Sequence, residues 1–273
     1  MNPRSSRPYS LAYLTSHRCS AAEAIRVAAE AGYQYAGLRP WPNGNGAPRQ
    51  ALVEDLQALR ETQAAVRDTG VRVFDLEILR IGANFDALAW DRLFEVGAAL
   101  QARAVLIAAD DPDASRLADS YARLCEAMQP FGLTADLEFM PWTEVRDAQA
   151  ALRVIEQAGR PANAGVLVDA IHFGRSRTTL DDIRRIPHKW LHYAQAGDAI
   201  AGTHFTHEQL IHTARCERLM PGEGTIDLSG LFAALPPDLP ISVEIVHLER
   251  EQNTPPLEWA RRCLHASRSI IGN

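Results

Sequence analysis

The sequence predicts an α/β protein of the (β/α)8 barrel class, a single domain over 1–273, on three observations. Short apolar runs rich in Val, Ile and Leu alternate with longer stretches of 3.6-residue period. Eight such strand–helix pairs can be counted, and polar residues, carboxylates foremost, stand where the later apolar runs end. Near-continuous apolar strands belong to a parallel sheet covered on both faces, and eight repeats point to a sheet closed on itself. A chain of 273 residues suits this, because such barrels run to about 250 residues around one core. No linker or low-complexity tract divides it. An open doubly wound sheet is the runner-up, and it lacks a G-x-G-x-x-G turn after the first strand.

The elements follow in order. SLAYL at 10–14 is the first strand, and Ser20 caps a helix whose alanine-rich pattern, AAEAIRVAAEAG, stops at Gly32. YQYAGLR (33–39) is the second strand and NGNGAPRQ (43–50) a loop. A charged amphipathic helix over 53–68 ends at Gly70, and VRVFDLEIL (71–79) is the third strand. A helix over 86–100, the strand RAVLIAA (103–109) and a helix over 113–128 come next. GLTADLEF (132–139), GVLVD (165–169), WLHYAQ (190–195) and ISVEIV (241–246) complete the strands. Helices begin near 144, 180, 228 and 257 between and after them.

Composition narrows the function classes. Hydrophobic residues at 47% and charged residues at 23% are ordinary globular values. No apolar run approaches the roughly 20 residues that span a bilayer, so a soluble chain with no membrane role is expected. The N-terminus carries Arg4 and Arg7 but no signal-like apolar stretch, and Cys19, Cys125, Cys216 and Cys263 are scattered singly, which fits free thiols in a cytoplasmic protein. A net charge of −6 argues against a nucleic-acid partner and for a small-molecule substrate. Exposed barrel helices often pair subunits, which leaves a homo-oligomer open.

In a barrel of this class the active site lies at the C-terminal ends of the strands. There the sequence places Glu138, Asp169, Gln195 and Glu244, from strands five to eight. Three buried carboxylates on adjacent strand ends would repel and protonate unless a cation held them. Three anionic oxygens and one amide suit a hard divalent ion, Mn²⁺ or Mg²⁺ before Zn²⁺. Each acid alone could instead cap a following helix. His172, three residues after Asp169, is expected in the loop over that metal, where a neutral imidazole can bind substrate or carry a proton, or else caps the next helix. Arg218, just before the PGEG of 221–224, is read as a grip for a substrate carboxylate, phosphate or hydroxyl, against the alternative of a surface salt bridge. Glu77 and Arg39, near the ends of strands three and two, line the far side of the pocket, or are solvated charges or helix caps.

The set Glu138, Asp169, Gln195 and Glu244, the Asp-x-x-His at 169–172 and the segment RLMPGEGTIDL (218–228) resemble the xylose isomerase-like TIM-barrel superfamily of sugar isomerases and epimerases. The resemblance spans nearly the whole chain and is carried by the ordered combination. It implies that the four named residues ligate the metal, and that Glu138 and Glu244 form an acid/base pair. It also implies that His172 touches substrate. Sugar epimerases of the superfamily usually have histidine where this chain has Gln195, and there it is similar to the 3-dehydroshikimate dehydratases, in which the histidine matching His172 is taken as a proton carrier.

THEQLIHT (206–213) imitates a zinc-protease helix, but His207 and His212 are five apart rather than four, so a lid or loop is expected there. The endonuclease branch of the superfamily needs extra histidine ligands that the third strand end lacks. The expected activity is metal-dependent isomerisation or epimerisation of a small polyhydroxylated carbonyl compound (a sugar, keto-sugar or inosose) through an enediolate. The alternatives are a lyase of the 3-dehydroshikimate dehydratase type and a non-catalytic ligand-binding barrel.

Overall fold

The computed structural model describes residues 7–43 and 47–272; Arg4 and part of the 43–50 loop lie outside them. Eight parallel strands pair in sequence order and close through β1 and β8. They are β1 (Tyr9–Leu11), β2 (Tyr35–Leu38), β3 (Arg72–Ile81), β4 (Ala104–Ala109), β5 (Thr134–Glu138), β6 (Ala164–Asp169), β7 (Ala194–Ala196) and β8 (Ile241–Val243). Around them run α1 (Ala21–Ala31), α2 (Leu56–Thr69), α3 (Asp91–Ala99), α4 (Ala114–Met128), α5 (Ala148–Gln157), α6 (Ala170–Arg175), α7 (Leu180–Arg184), α8 (His207–Cys216), α9 (Leu228–Ala234), α10 (Leu248–Glu251) and α11 (Pro256–Ile271). No helix among the described residues is long and apolar enough to cross a membrane. The four cysteines are free thiols.

Helix starts follow local chemistry. Ser20 and Glu23 form a reciprocal capping box on α1, Asp55, Asp113 and Asp147 accept backbone N–H groups at the starts of α2, α4 and α5, and Thr206 with Gln209 boxes α8. Those caps explain several departures from the sequence reading. The second helix begins at Leu56 rather than 53 and the fifth at Ala148 rather than near 144, each just after its aspartate cap. The 86–100 segment divides into a short 3-10 turn capped by Asp86 and then α3. The 190–195 stretch is strand only from Ala194, since Trp190 closes a 3-10 turn. The 206–213 segment is a helix, not a lid or loop, because its capping box starts the turn. His172 likewise lies in α6, not in a loop.

The apolar faces divide into two layers. Outward-facing strand residues such as Leu11, Leu38, Val105 and Val168 pack with the helices, while Tyr35, Phe74, Leu106, Leu167 and Tyr193 fill the barrel. Phe74 meets Tyr35 edge-on at 5.2 Å and Tyr193 at 5.1 Å between ring centroids, forming an aromatic floor. The third strand is irregular in a way that matters for the site. Gly37 alone on β2 stands opposite Phe74 and Asp75, and Leu106 alone on β4 stands opposite Glu77 and Ile78. Two bulges therefore turn four side chains of one strand toward the barrel interior. At Gly37 a side chain is excluded, since a Cβ would lie 2.8 Å from an Asp75 carboxylate oxygen.

Candidate active site

The register of the last three strands places Asp169, Gln195 and Ser242 side by side. Alternation then puts Glu244 one layer above Ser242, and Glu138 ends β5 beside Leu167. All four predicted ligands are buried: Asp169 and Gln195 completely, Glu138 and Glu244 at 3% exposure. Glu138 and Glu244 line a cavity of about 360 Å³, whose wall also includes Glu77, Arg39, His172, Arg218, Tyr13 and Trp142, whereas Asp169 and Gln195 are not part of that wall.

Asp169 takes the capping role that the sequence offered as the alternative to ligation, and it also pairs with Arg218. Its Oδ1 accepts the N–H groups of Ile171 (2.6 Å) and His172 (3.0 Å), starting α6, while Oδ2 accepts Arg218 Nη1 at 2.6 Å. The cap fixes the direction of α6 and so aims His172 at Glu138, with Nε2 3.5 Å from Oε1 and the Trp142 ring edge-on at 4.9 Å. Glu138, Asp169 and His172 offer donor atoms that all lie within 4.8 Å of one another.

Arg218 is buried rather than superficial, at 2% exposure. Its second nitrogen, Nη2, reaches Glu244 Oε2 at 2.7 Å, and its Nε donates to the Ala214 carbonyl at 2.8 Å. The backbone explains the placement. The Arg218 N–H donates to the Val246 carbonyl, and bridges at 198–219 and 217–247 lace the segment between the loops after β7 and β8. The PGEG turn is pinned from below by Asp198, whose carboxylate accepts the N–H groups of Gly222 and Gly224 at 3.0 Å each. A Cβ at Gly224 would collide with that carboxylate.

Electrostatics are dominated by burial. Burial, then Asp169 and Glu244, pushes Glu138 well above the ordinary carboxylate range. Burial does the same to Glu244, against the pull of Arg218. For Asp169 burial is overcome by Arg218 and His172, and the carboxyl lies below its usual value. Burial lowers His172 to about 4, so the imidazole is neutral at pH 7. Arg39 pairs with Glu77 at 3.2 Å and lies over the Tyr13 ring at 4.2 Å. Burial raises Glu77 against the pull of Arg39.

The residues fit a divalent cation. Neither Oε1 nor Nε2 of the fully buried Gln195 has a hydrogen-bond partner, and a buried amide left bare costs about 1–3 kcal/mol unless something satisfies it. Beside it stand three carboxylates from neighbouring strands with one arginine to balance them. Glu244 is turned onto Arg218 and lies outside the tight Glu138–Asp169–His172 group. The sequence reading did not include Arg80, Arg215, His17 and Trp142, which also line the cavity. The bulges that carry β3 on to Ile81 bring Arg80 there, and α8, read from sequence as a decoy, delivers Arg215.

An eight-stranded parallel barrel with acids from β5, β6 and β8 gathered at its C-terminal mouth defines a (β/α)8 protein with a candidate metal centre. The chain belongs to the xylose isomerase-like TIM-barrel family, whose model matches residues 25–266. No curated protein matches the sequence. Among solved structures, an IolI protein with a zinc atom bound is similar at 16% identity and TM-score 0.79, covering 97% of this chain and 98% of that one. D-allulose 3-epimerase from Methylomonas sp. in complex with D-allulose is similar at 17% identity and TM-score 0.68, with 98% of each chain covered. A probable 3-DHS dehydratase, AsbF from Bacillus anthracis, is similar at 14% identity and TM-score 0.74, covering 94% and 98%. At these identities the likeness is one of fold.

Proposed function

We propose that this chain is a divalent-metal-dependent isomerase or epimerase of a small polyhydroxylated carbonyl compound, acting through an enediolate. The observation that carries the reading is the buried, partnerless Gln195 amide set among the acids Glu138, Asp169 and Glu244. Those four would hold the ion, and Mn²⁺ or Mg²⁺ suits their oxygen donors. Bound there, the ion would polarise a substrate carbonyl and its neighbouring hydroxyl. Glu138 and Glu244, which both line the cavity, would take a proton from the carbon next to the carbonyl and return one. Trp142 and Tyr13 supply apolar walls that limit water, and Arg218 holds Asp169 and Glu244 in position while presenting its charge to substrate oxygens.

A second reading, loss of water from a β-hydroxy carbonyl compound, is favoured by His172. Its imidazole is neutral and stands 3.5 Å from Glu138, so it would first take a proton, from Glu138 or from the substrate carbon, and then give it to the departing hydroxyl. The test is a screen of keto-sugars, inososes and 3-dehydroshikimate with added Mn²⁺ or Mg²⁺, read for both epimerised product and water loss. Turnover that disappears on chelation and returns with the ion supports the reading. Full turnover after exhaustive chelation contradicts it.

A further inference from the structure

The cavity carries more positive charge than its acids use. Four guanidiniums line it, and two are committed: Arg218 to Asp169 and Glu244, and Arg39 to Glu77. Arg80 and Arg215 form no ion pair with any carboxylate among the described residues, although Arg80 is half-buried in the cavity wall. Its Nε donates to Asn43 Oδ1 at 2.8 Å, which fixes the plane of the guanidinium, and among the described residues neither Nη group has a partner. Arg215, on the last turn of α8, lines the same cavity. Burial lowers both arginines, and the Arg215 charge lowers Arg80 further. Arg80 is half-buried and Arg215 exposed at the rim, and two unpaired like charges facing one space attract an anion between them.

We propose that Arg80 and Arg215 form an anion subsite at the cavity mouth, and that the substrate is a polyhydroxylated carbonyl compound bearing a carboxylate or phosphate at the end remote from the acids. This rests on the reading of the cavity as the active site. A guanidinium oriented by Asn43 can bind either group through two parallel N–H donors. A cavity of about 360 Å³ has room for a small polyol acid or sugar phosphate, with its carbonyl end over Glu138 and its charged end between the two arginines.

The probes are pairs with one skeleton and different charge: gluconate against glucitol, and ribulose 5-phosphate against ribulose. Binding to the Mn²⁺-supplemented full chain is followed by calorimetry. At least one charged member should bind about tenfold or more tightly than its neutral partner, and which pair shows the preference distinguishes carboxylate from phosphate. Arg80→Gln and Arg215→Gln should each weaken the charged member by about tenfold and leave the neutral one and Mn²⁺ affinity where they were. Equal affinity within both pairs, no anion binding in the millimolar range, or a loss in the variants that is the same for charged and neutral members overturns the subsite. Anion preference without any Mn²⁺ binding would instead refute the metal reading and leave the subsite standing.

Discussion

Arg218→Gln removes the one cation that faces both Asp169 and Glu244. The wild-type side chain makes two ion pairs of 2.6 and 2.7 Å with all partners nearly excluded from water, and it fills two further backbone carbonyls. Breaking a buried pair by removing one partner costs about 3–5 kcal/mol. Glu244 can relieve part of this by keeping its proton, so the loss should fall near the lower limit, about 3 kcal/mol at pH 7, or a drop of about 10 °C in Tm. Asp169 supplies the pH signature. Its folded-state carboxyl lies below the ordinary value because of Arg218, so the stability it contributes is complete above the ordinary carboxylate range and is lost as pH falls through the lowered value. Chemical denaturation of both proteins in chelator, from pH 7 down to about 3, should show the gap between them closing. A variant within about 0.5 kcal/mol of wild type at pH 7, or a gap that widens on acidification, would refute the account of Arg218 as the internal counter-ion.

Other expectations follow from the same geometry. His172→Asn should cost about 10- to 100-fold in turnover if the side chain only positions substrate, and about 10²- to 10⁴-fold if it carries the proton; single-turnover rates on the active substrate separate the two, and unchanged kinetics would remove His172 from the site. Burial, then Glu244 and Asp136, pushes Asp75 up to about 8, and Glu138 and Glu244 shift the same way. The folded state thus retains protons that the unfolded chain has released, and the metal-free protein should lose stability as pH rises from about 5 to 8; greater stability at pH 8 in chelator would contradict this. Gly165→Ala should destabilise by about 1–3 kcal/mol, because a Cβ there meets the Asp136 carboxylate and lies 2.6 Å from His192 Nδ1, splitting a pair bonded at 2.7 Å. A melt unchanged from wild type would disprove that clash.

The sequence made the barrel and the ends of β5 to β8 legible for one reason: a parallel strand buried on both faces is written as a continuous apolar run, so the first charge after it marks the mouth. Glu138, Asp169, Gln195 and Glu244 were found that way. The bulges of β3 were not legible, because a bulge is a relation between two strands, and neither Gly37 nor Leu106 announces that it will face two residues. The six-residue α6 escaped because it is nucleated by the Asp169 side chain, the same group that had been weighed as ligand or cap. Arg215 was passed over because its helix was judged on the spacing of its histidines. His207 and His212 contribute nothing to the cavity, and His212 pairs with Glu217 at 3.1 Å.

The central claim is that Glu138, Asp169, Gln195 and Glu244 together hold a divalent ion. Chelated protein titrated with Mn²⁺ and followed by electron paramagnetic resonance should bind one ion per chain. The Glu138→Gln and Asp169→Asn variants, checked for intact fold by circular dichroism, should lose about 10- to 100-fold or more in affinity. Folded variants that bind Mn²⁺ as tightly as wild type, or a wild type that binds none, would contradict it.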